Sequence, residues 1–153
     1  MNQETVTLIQ QAQTGDKQAF FKLVELYDWQ ITANMLQFIR QEDQLESVYQ
    51  TLFNTAYDKL HEFRFDRDFY VWLYPILFKI IFNTPNTEPI NSKQDRPLDL
   101  LSHHERLIFI LIHNEKFSFK DVAIILKRTK NFVRSTFCSA VEKLHSNTVR
   151  DEA

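Results

Sequence analysis

Basic, amide and hydroxyl side chains crowd one short stretch near the C-terminus: Lys127, Arg128, Lys130, Asn131, Arg134 and Ser135. Arginine suits guanine edges, asparagine suits adenine edges, and cations suit phosphates, so this set could read or grip nucleic acid. The same residue types clothe any surface helix, and spacing alone does not choose between the two readings. The other chemistry-bearing residues offer less. The five histidines are His61, His103, His104, His113 and His145. No pair stands at i, i+4 beside a glutamate, as a zinc-protease helix requires. His103 and His104 are adjacent and so point to different sides of a helix. The single cysteine, Cys138, excludes an internal disulfide and a Cys-based zinc knuckle, and it has no histidine nearby in sequence. Carboxylates are many, but no pair is isolated in an apolar setting. No catalytic residue, metal or cofactor is expected, and enzyme readings are poor.

The elements that must hold the basic stretch are legible around it. Val133, Phe137, Ala140, Val141 and Leu144 recur at i, i+4, i+7, i+8 and i+11, the core face of a helix. The opposite face then presents Lys130, Asn131, Arg134, Ser135, Cys138 and Ser139. Thr129 can cap this helix, Lys130–His145. Ser118 with Asp121 forms a capping box for a short helix, Phe119–Leu126. A short helix, the connector Lys127–Thr129 and a longer helix make a helix-turn-helix. Ser102 with Glu105 is another capping box, opening a helix through Leu107, Ile108, Leu111 and Ile112.

The rest of the chain is also helical in pattern. One glycine in 153 residues rules out a glycine-rich phosphate loop and a dinucleotide fingerprint. It also argues against a turn-rich β-sandwich. The expected fold class is all-α, two small helical domains joined by a linker. The clearest boundary is Asn83–Pro97, with three of the four prolines and no aromatic residue. The expected division is 1–82, a linker at 83–97, a second domain at 98–146 and a tail at 147–153. The first domain reads as four helices. Thr5–Gln13 is short and amphipathic. Gly15 breaks it, and Asp16 caps Lys17–Arg40, where Phe20, Leu23, Val24, Tyr27, Ile31, Met35, Phe38 and Ile39 keep helical spacing. Asp43 with Glu46 resembles a capping box opening Gln44–His61, whose stripe is Leu45, Val48, Leu52, Phe53, Ala56 and Leu60. Phe63–Asp68 is aperiodic and reads as a loop. A fourth helix runs through Trp72, Leu73, Ile76, Leu77 and Ile80, with Pro75 expected early in it.

Charge divides the same way. Residues 1–82 carry 7 basic and 11 acidic side chains, and residues 96–150 carry 10 and 5. Only the C-terminal part has a nucleic-acid-like balance. The opening residues have no basic n-region and no long apolar run, so no signal peptide is expected. The apolar stretch Trp72–Phe82 is too short and broken to span a bilayer. A soluble cytoplasmic protein with no membrane span is the expectation.

Both halves resemble the extracytoplasmic-function group of bacterial RNA polymerase sigma factors. Ala12–Tyr27, AQTGDKQAFFKLVELY, is similar to the family's opening motif, and Leu45–Phe63 to its core-binding helix. Trp72-Leu73 and Asn83 match the next helix, and Leu98–Leu144 resembles the C-terminal module. The resemblance implies that 1–82 corresponds to sigma region 2 and 98–146 to sigma region 4. It implies that Leu45, Glu46, Gln50 and Phe53 face core RNA polymerase. The loop around Arg64, Phe65, Asp66, Arg67 and Phe69 would meet the unwound −10 element by stacking and phosphate contact. Lys127, Arg128, Lys130, Asn131, Arg134 and Ser135 would meet the −35 element of promoter DNA. An anti-sigma factor is a further implied partner, and a sigma-like adaptor that binds polymerase or anti-sigma without opening promoters is the alternative. The chain departs from the family at the helix-turn-helix connector, where Lys127 replaces glycine. It departs again at Thr136 and Ser139, where the family usually adds cations. After Asn83 it has no basic residue until Lys93.

Overall fold

The computed structural model describes residues 1–85 and 97–151, and the chain folds as two compact units, Met1–Glu88 and Pro89–Ala153. Among the described residues all regular structure is helical. Most of the Asn83–Pro97 segment lies outside the described residues. Its visible ends are Asn83, which closes a helix, a bend and turn at Thr84 and Pro85, and Pro97, which opens a 3-10 turn.

The first unit holds α1 (Gln3–Gln13), α2 (Lys17–Met35), α3 (Glu42–Lys59) and α4 (Phe69–Asn83). Asn2 caps α1 by accepting from the Thr5 N–H. Gly15 then turns the chain at φ +99, a conformation that a β-carbon makes costly. Asp16 caps α2 as expected, accepting from the Gln18 and Ala19 N–H groups at 2.9 and 3.1 Å. α2 ends at Met35, short of the expected Arg40. Phe38 and Ile39 remain buried because the chain turns back there, with the Ile39 N–H donating to the Met35 carbonyl.

Two further expectations are corrected. α3 begins at Glu42, with Gln41 at its N-cap making no side-chain bond. Asp43 is therefore inside the first turn, where its carboxylate favours the helix dipole and is not a cap. α4 begins at Phe69, so Pro75 sits in the helix interior rather than its first turn. The Val71 carbonyl consequently has no i+4 amide to accept from.

α1 packs on α2 and α3 on α4. Leu23, Ile31, Met35, Leu52, Leu73, Leu77 and Ile81 form the buried centre. Asn34 donates to the Tyr74 hydroxyl at 2.6 Å inside it, so neither polar group is stranded.

The second unit holds α5 (His103–Phe109), α6 (Phe119–Leu126) and α7 (Lys130–Asp151). α5 runs on as a π-helical turn, Ile110–Asn114, with the Glu115 N–H donating to the Ile110 carbonyl. Both serine capping boxes form, Ser102 with Glu105 and Ser118 with Asp121. Leu107, Ile108, Ile110, Leu111, Val122, Ile125, Val133 and Ala140 make the core. α7 continues past the expected His145 to Asp151, so 147–151 is helix and not a loose tail.

Glu105, only 7% exposed, does more than cap. Its carboxylate accepts from Ser139 and Lys143 of α7, both at 2.9 Å. Burial pushes this carboxyl up, but the bonds from Lys143, the Ser102 N–H and Ser139 outweigh it and hold it at about 2. The buried Arg106 guanidinium donates to the Leu98 and Leu101 carbonyls and pairs with Asp99 at 3.7 Å. These two polar residues fasten the 3-10 turn Pro97–Leu100, α5 and α7 together.

Candidate nucleic-acid interface and partner surface

The turn between α6 and α7 is the geometric centre of the candidate interface. α6 ends because Lys127 adopts the left-handed conformation, φ 51 and ψ 46. The Lys127 N–H reaches the Ile124 carbonyl, and the Arg128 N–H reaches Ala123. This closure satisfies carbonyls that the helix end leaves unpaired. Thr129 then accepts from the Phe132 N–H at 3.2 Å and starts α7.

The turn brings the six C-terminal candidates together. Lys127, Arg128, Lys130, Asn131, Arg134 and Ser135 are all exposed. The Arg128 guanidinium lies 5.5 Å from the Phe132 ring centre and the Arg134 guanidinium 5.7 Å from that of Phe119. No ion pair engages these cations among the described residues.

Two positions of α7 differ from the expected faces. Val141 is 40% exposed rather than part of the core face. Ser139 faces inward to Glu105 rather than outward with Arg134.

The aromatic loop of the first unit is only partly available. Phe69, expected among the strand-contacting residues, is 2% exposed. It opens α4 and packs against Tyr27, Phe63 and Trp72, so it is a core residue. Arg64 is exposed. Phe65 stands at φ 59 with its ring edge-on to Phe63. Asp66 and Arg67 pair through two hydrogen bonds, at 3.2 and 2.9 Å. The Arg67 bond lowers the Asp66 carboxyl pKa and raises that of the guanidinium. The loop thus offers one cation without such a partner and one that neutralises itself.

On α3, Gln50 donates to Glu46 at 3.1 Å, both exposed, while Leu45 and Phe53 are half-buried. Tyr49, not singled out from sequence, lies between them. Its ring packs on Phe53 with centres 4.7 Å apart, and its hydroxyl donates to Asp28 of α2 at 2.7 Å. Burial raises the Tyr49 pKa, and the Asp28 hydrogen bond and charge add to that. Thr32, Glu42, Asp43, Leu45, Glu46 and Tyr49 line an open groove of about 720 Å³. Trp29, 82% exposed on α2, was also missed. Both residues carried a signal. Tyr49 falls at i+4 from Leu45 and i−4 from Phe53, and Trp29 is a large aromatic outside its helix's apolar stripe. Among the described residues no His, Cys, Asp or Glu cluster could hold a metal ion, and no helix is long and apolar enough to cross a membrane.

No protein-family model matches the chain. It is 26% identical over 175 aligned positions to an ECF RNA polymerase sigma-E factor of Haemophilus influenzae, spanning 91% of this chain and 92% of that one. It is 39% identical over 92 positions to the RNA polymerase sigma-H factor of Pseudomonas aeruginosa, covering 60% of this chain and 45% of that protein. Among solved structures, CnrH in complex with the cytosolic domain of CnrY shares the fold at a TM-score of 0.82, with 22% identity over 97% and 99% of the two chains. The sigma factor RpoE of Bartonella quintana, in complex with the anti-sigma factor NepR, does so at 0.70, with 20% identity over 83% and 94%. The sequence likeness to one named ECF sigma factor runs nearly the whole length of both chains, and the fold is shared with two solved sigma factors, so the chain is similar throughout to the extracytoplasmic-function group of RNA polymerase sigma factors.

Proposed function

We propose that the chain directs transcription initiation, binding core RNA polymerase through α3 and promoter DNA through both units. The observation that carries this reading is the start of α7. There Lys127, Arg128, Lys130 and Arg134 stand exposed, and no ion pair engages them among the described residues, just after a tight turn. Cations held in helical register are what a helix needs to enter a major groove and neutralise phosphates. Asn131 and Ser135 add neutral donors and acceptors on the same face. On α3, the exposed Glu46 and Gln50 beside the half-buried Tyr49–Phe53 pair offer a polar and aromatic surface to polymerase. Arg64 and Phe65 are the loop residues best placed for the −10 strand, with Arg67 tied to Asp66 and Phe69 in the core. Named sigma factors among the relatives support the whole assignment. The protein acts by binding, without catalysis of its own, in the cytoplasm where its polymerase partner works. An anti-sigma partner fits a fold shared with a sigma factor solved bound to one.

The reduced loop favours a second reading, a sigma-like adaptor that binds polymerase or an anti-sigma factor without opening promoters. Transcription in vitro with purified core polymerase separates the two. Run-off product from promoter templates supports the sigma reading. Stable binding to core without product supports the adaptor.

A further inference from the structure

The Arg134 side chain does not stand alone on α7. Its guanidinium lies over Phe119, the first residue of α6. Phe119 in turn meets Phe137 of α7 edge-on, with ring centres 5.8 Å apart. Phe137 stacks near-parallel on Phe109 of α5 at 6.0 Å, and Phe109 stacks on His113 at 4.9 Å. A continuous ladder of rings therefore runs from the π-helical turn through α5 and α7 to the guanidinium. Phe109, Phe119 and Phe137 are all half-buried, so the ladder is packed against the core and its last rung is not a free rotor.

We propose that Phe119 is a positioning residue for Arg134, fixing the guanidinium so that its N–H edge is presented to a base. The proposal rests on the promoter-binding reading above. Arginine carries several rotatable bonds, and a long free side chain loses conformational entropy when it docks. An aromatic ring 5.7 Å from the guanidinium carbon removes part of that loss before binding. A cation–π contact is not a hydrogen bond, so it does not by itself consume the N–H donors. Among the described residues no carboxylate pairs with Arg134, so no stronger partner competes with the ring. Among the described residues no ring contact is seen for Lys130 or Lys127, and a lysine ammonium does not need one to meet a phosphate. Arg128 has a comparable contact with Phe132 at 5.5 Å, but it lies in the turn before α7, so Phe119 is the ring that serves an arginine on the helix face itself.

The test uses the full chain assembled with core polymerase and a pool of randomised duplex DNA, with bound DNA sequenced. Phe119→Leu keeps a bulky apolar side chain but removes the π face, and Phe119→Tyr keeps both. The expected result is that Phe119→Leu lowers the preference at the one position sensitive to Arg134→Ala by about two- to fivefold. Phe119→Tyr should restore it. Phe119→Leu should add nothing in the Arg134→Ala background, and the salt dependence of total binding should not change. The idea is overturned if Phe119→Leu weakens binding to all sequences equally, or if its effect adds to that of Arg134→Ala. An unchanged preference with Phe119→Leu also overturns it. If Phe119→Leu lowers the melting temperature markedly, Phe119→Tyr and Phe119→Trp decide instead. Loss of preference in these folded aromatic variants refutes the platform role. If the unaltered protein shows no sequence preference at all, the promoter-binding reading itself fails, an outcome visible before any variant is compared.

Discussion

Lys127 is the only residue between α6 and α7 in the left-handed conformation, and replacing it by glycine separates backbone strain from charge. At φ 51 and ψ 46 its β-carbon crowds the following carbonyl, at a cost of about 1–2 kcal/mol relative to glycine. Glycine returns about 0.5–1 kcal/mol of this by gaining freedom in the unfolded chain. Lys127→Gly should therefore stabilise the second unit by about 0.5–1 kcal/mol. For a unit of this size that corresponds to about 2–8 °C in melting temperature. Lys127→Ala keeps the β-carbon and loses only the ammonium, so it should leave stability nearly unchanged. Both variants should weaken DNA binding alike and reduce the magnitude of the salt slope by about 0.9 if the ammonium meets a phosphate. Calorimetric melting of the full chain, followed by DNA titration across a salt series, reads both effects. An unchanged or lower melting temperature for Lys127→Gly would refute the strain argument. An equal rise for Lys127→Ala would show that charge repulsion, and not backbone, is relieved.

Three further outcomes follow from the geometry. The Glu105 carboxyl falls from 4.5 to about 2 on folding, so its stabilisation is complete above pH 4.5 and disappears as pH drops toward 2. The half-exposed Lys143 limits the amount to about 1–2 kcal/mol, and acid titration of Glu105→Gln should show a shallower decline over that window. Phe69→Ala should destabilise the first unit by about 3–5 kcal/mol in urea melts, as a core truncation does; a folded variant with only a DNA defect would return Phe69 to the interface. Asp66→Asn should release Arg67 and steepen the salt dependence of single-strand binding by about 0.7 if the freed guanidinium meets a phosphate, and an unchanged slope would show that the loop does not touch the strand.

Periodicity and capping chemistry made the helices legible, because each signal is local. Asp16, Ser102, Ser118 and Thr129 bond to amides two or three residues away, and a short sequence window contains everything they need. Distant contacts decide the positions that a short window misplaces. Phe69 looked like a loop aromatic until Tyr27 and Trp72 closed over it. Ser139 reads as exposed from its helical position, but its hydroxyl donates a hydrogen bond to Glu105, thirty-four residues away. The basic start of α7 was visible as a run of residue types, but the rings beneath Arg134 come from three helices and have no sequence pattern of their own. Pro75 was misplaced for a related reason: α4 starts earlier than its apolar period suggests, since Phe69 is drawn inward by the aromatic cluster.

Gln13 ends α1, and its single amide nitrogen donates to the carbonyls of Leu60 and Phe63, each at 2.9 Å. One side chain therefore staples both sides of the bend that leads into the aromatic loop. Among common side chains of this length, glutamate has the same shape but offers acceptors, which would confront two carbonyls with a negative charge. Methionine fits the space but strands both carbonyls. The position is thus chemically intolerant although it lies at the edge of the fold and touches neither proposed partner. Variants there should act at a distance of some fifty residues in sequence, by loosening the stem from which Arg64 and Phe65 project.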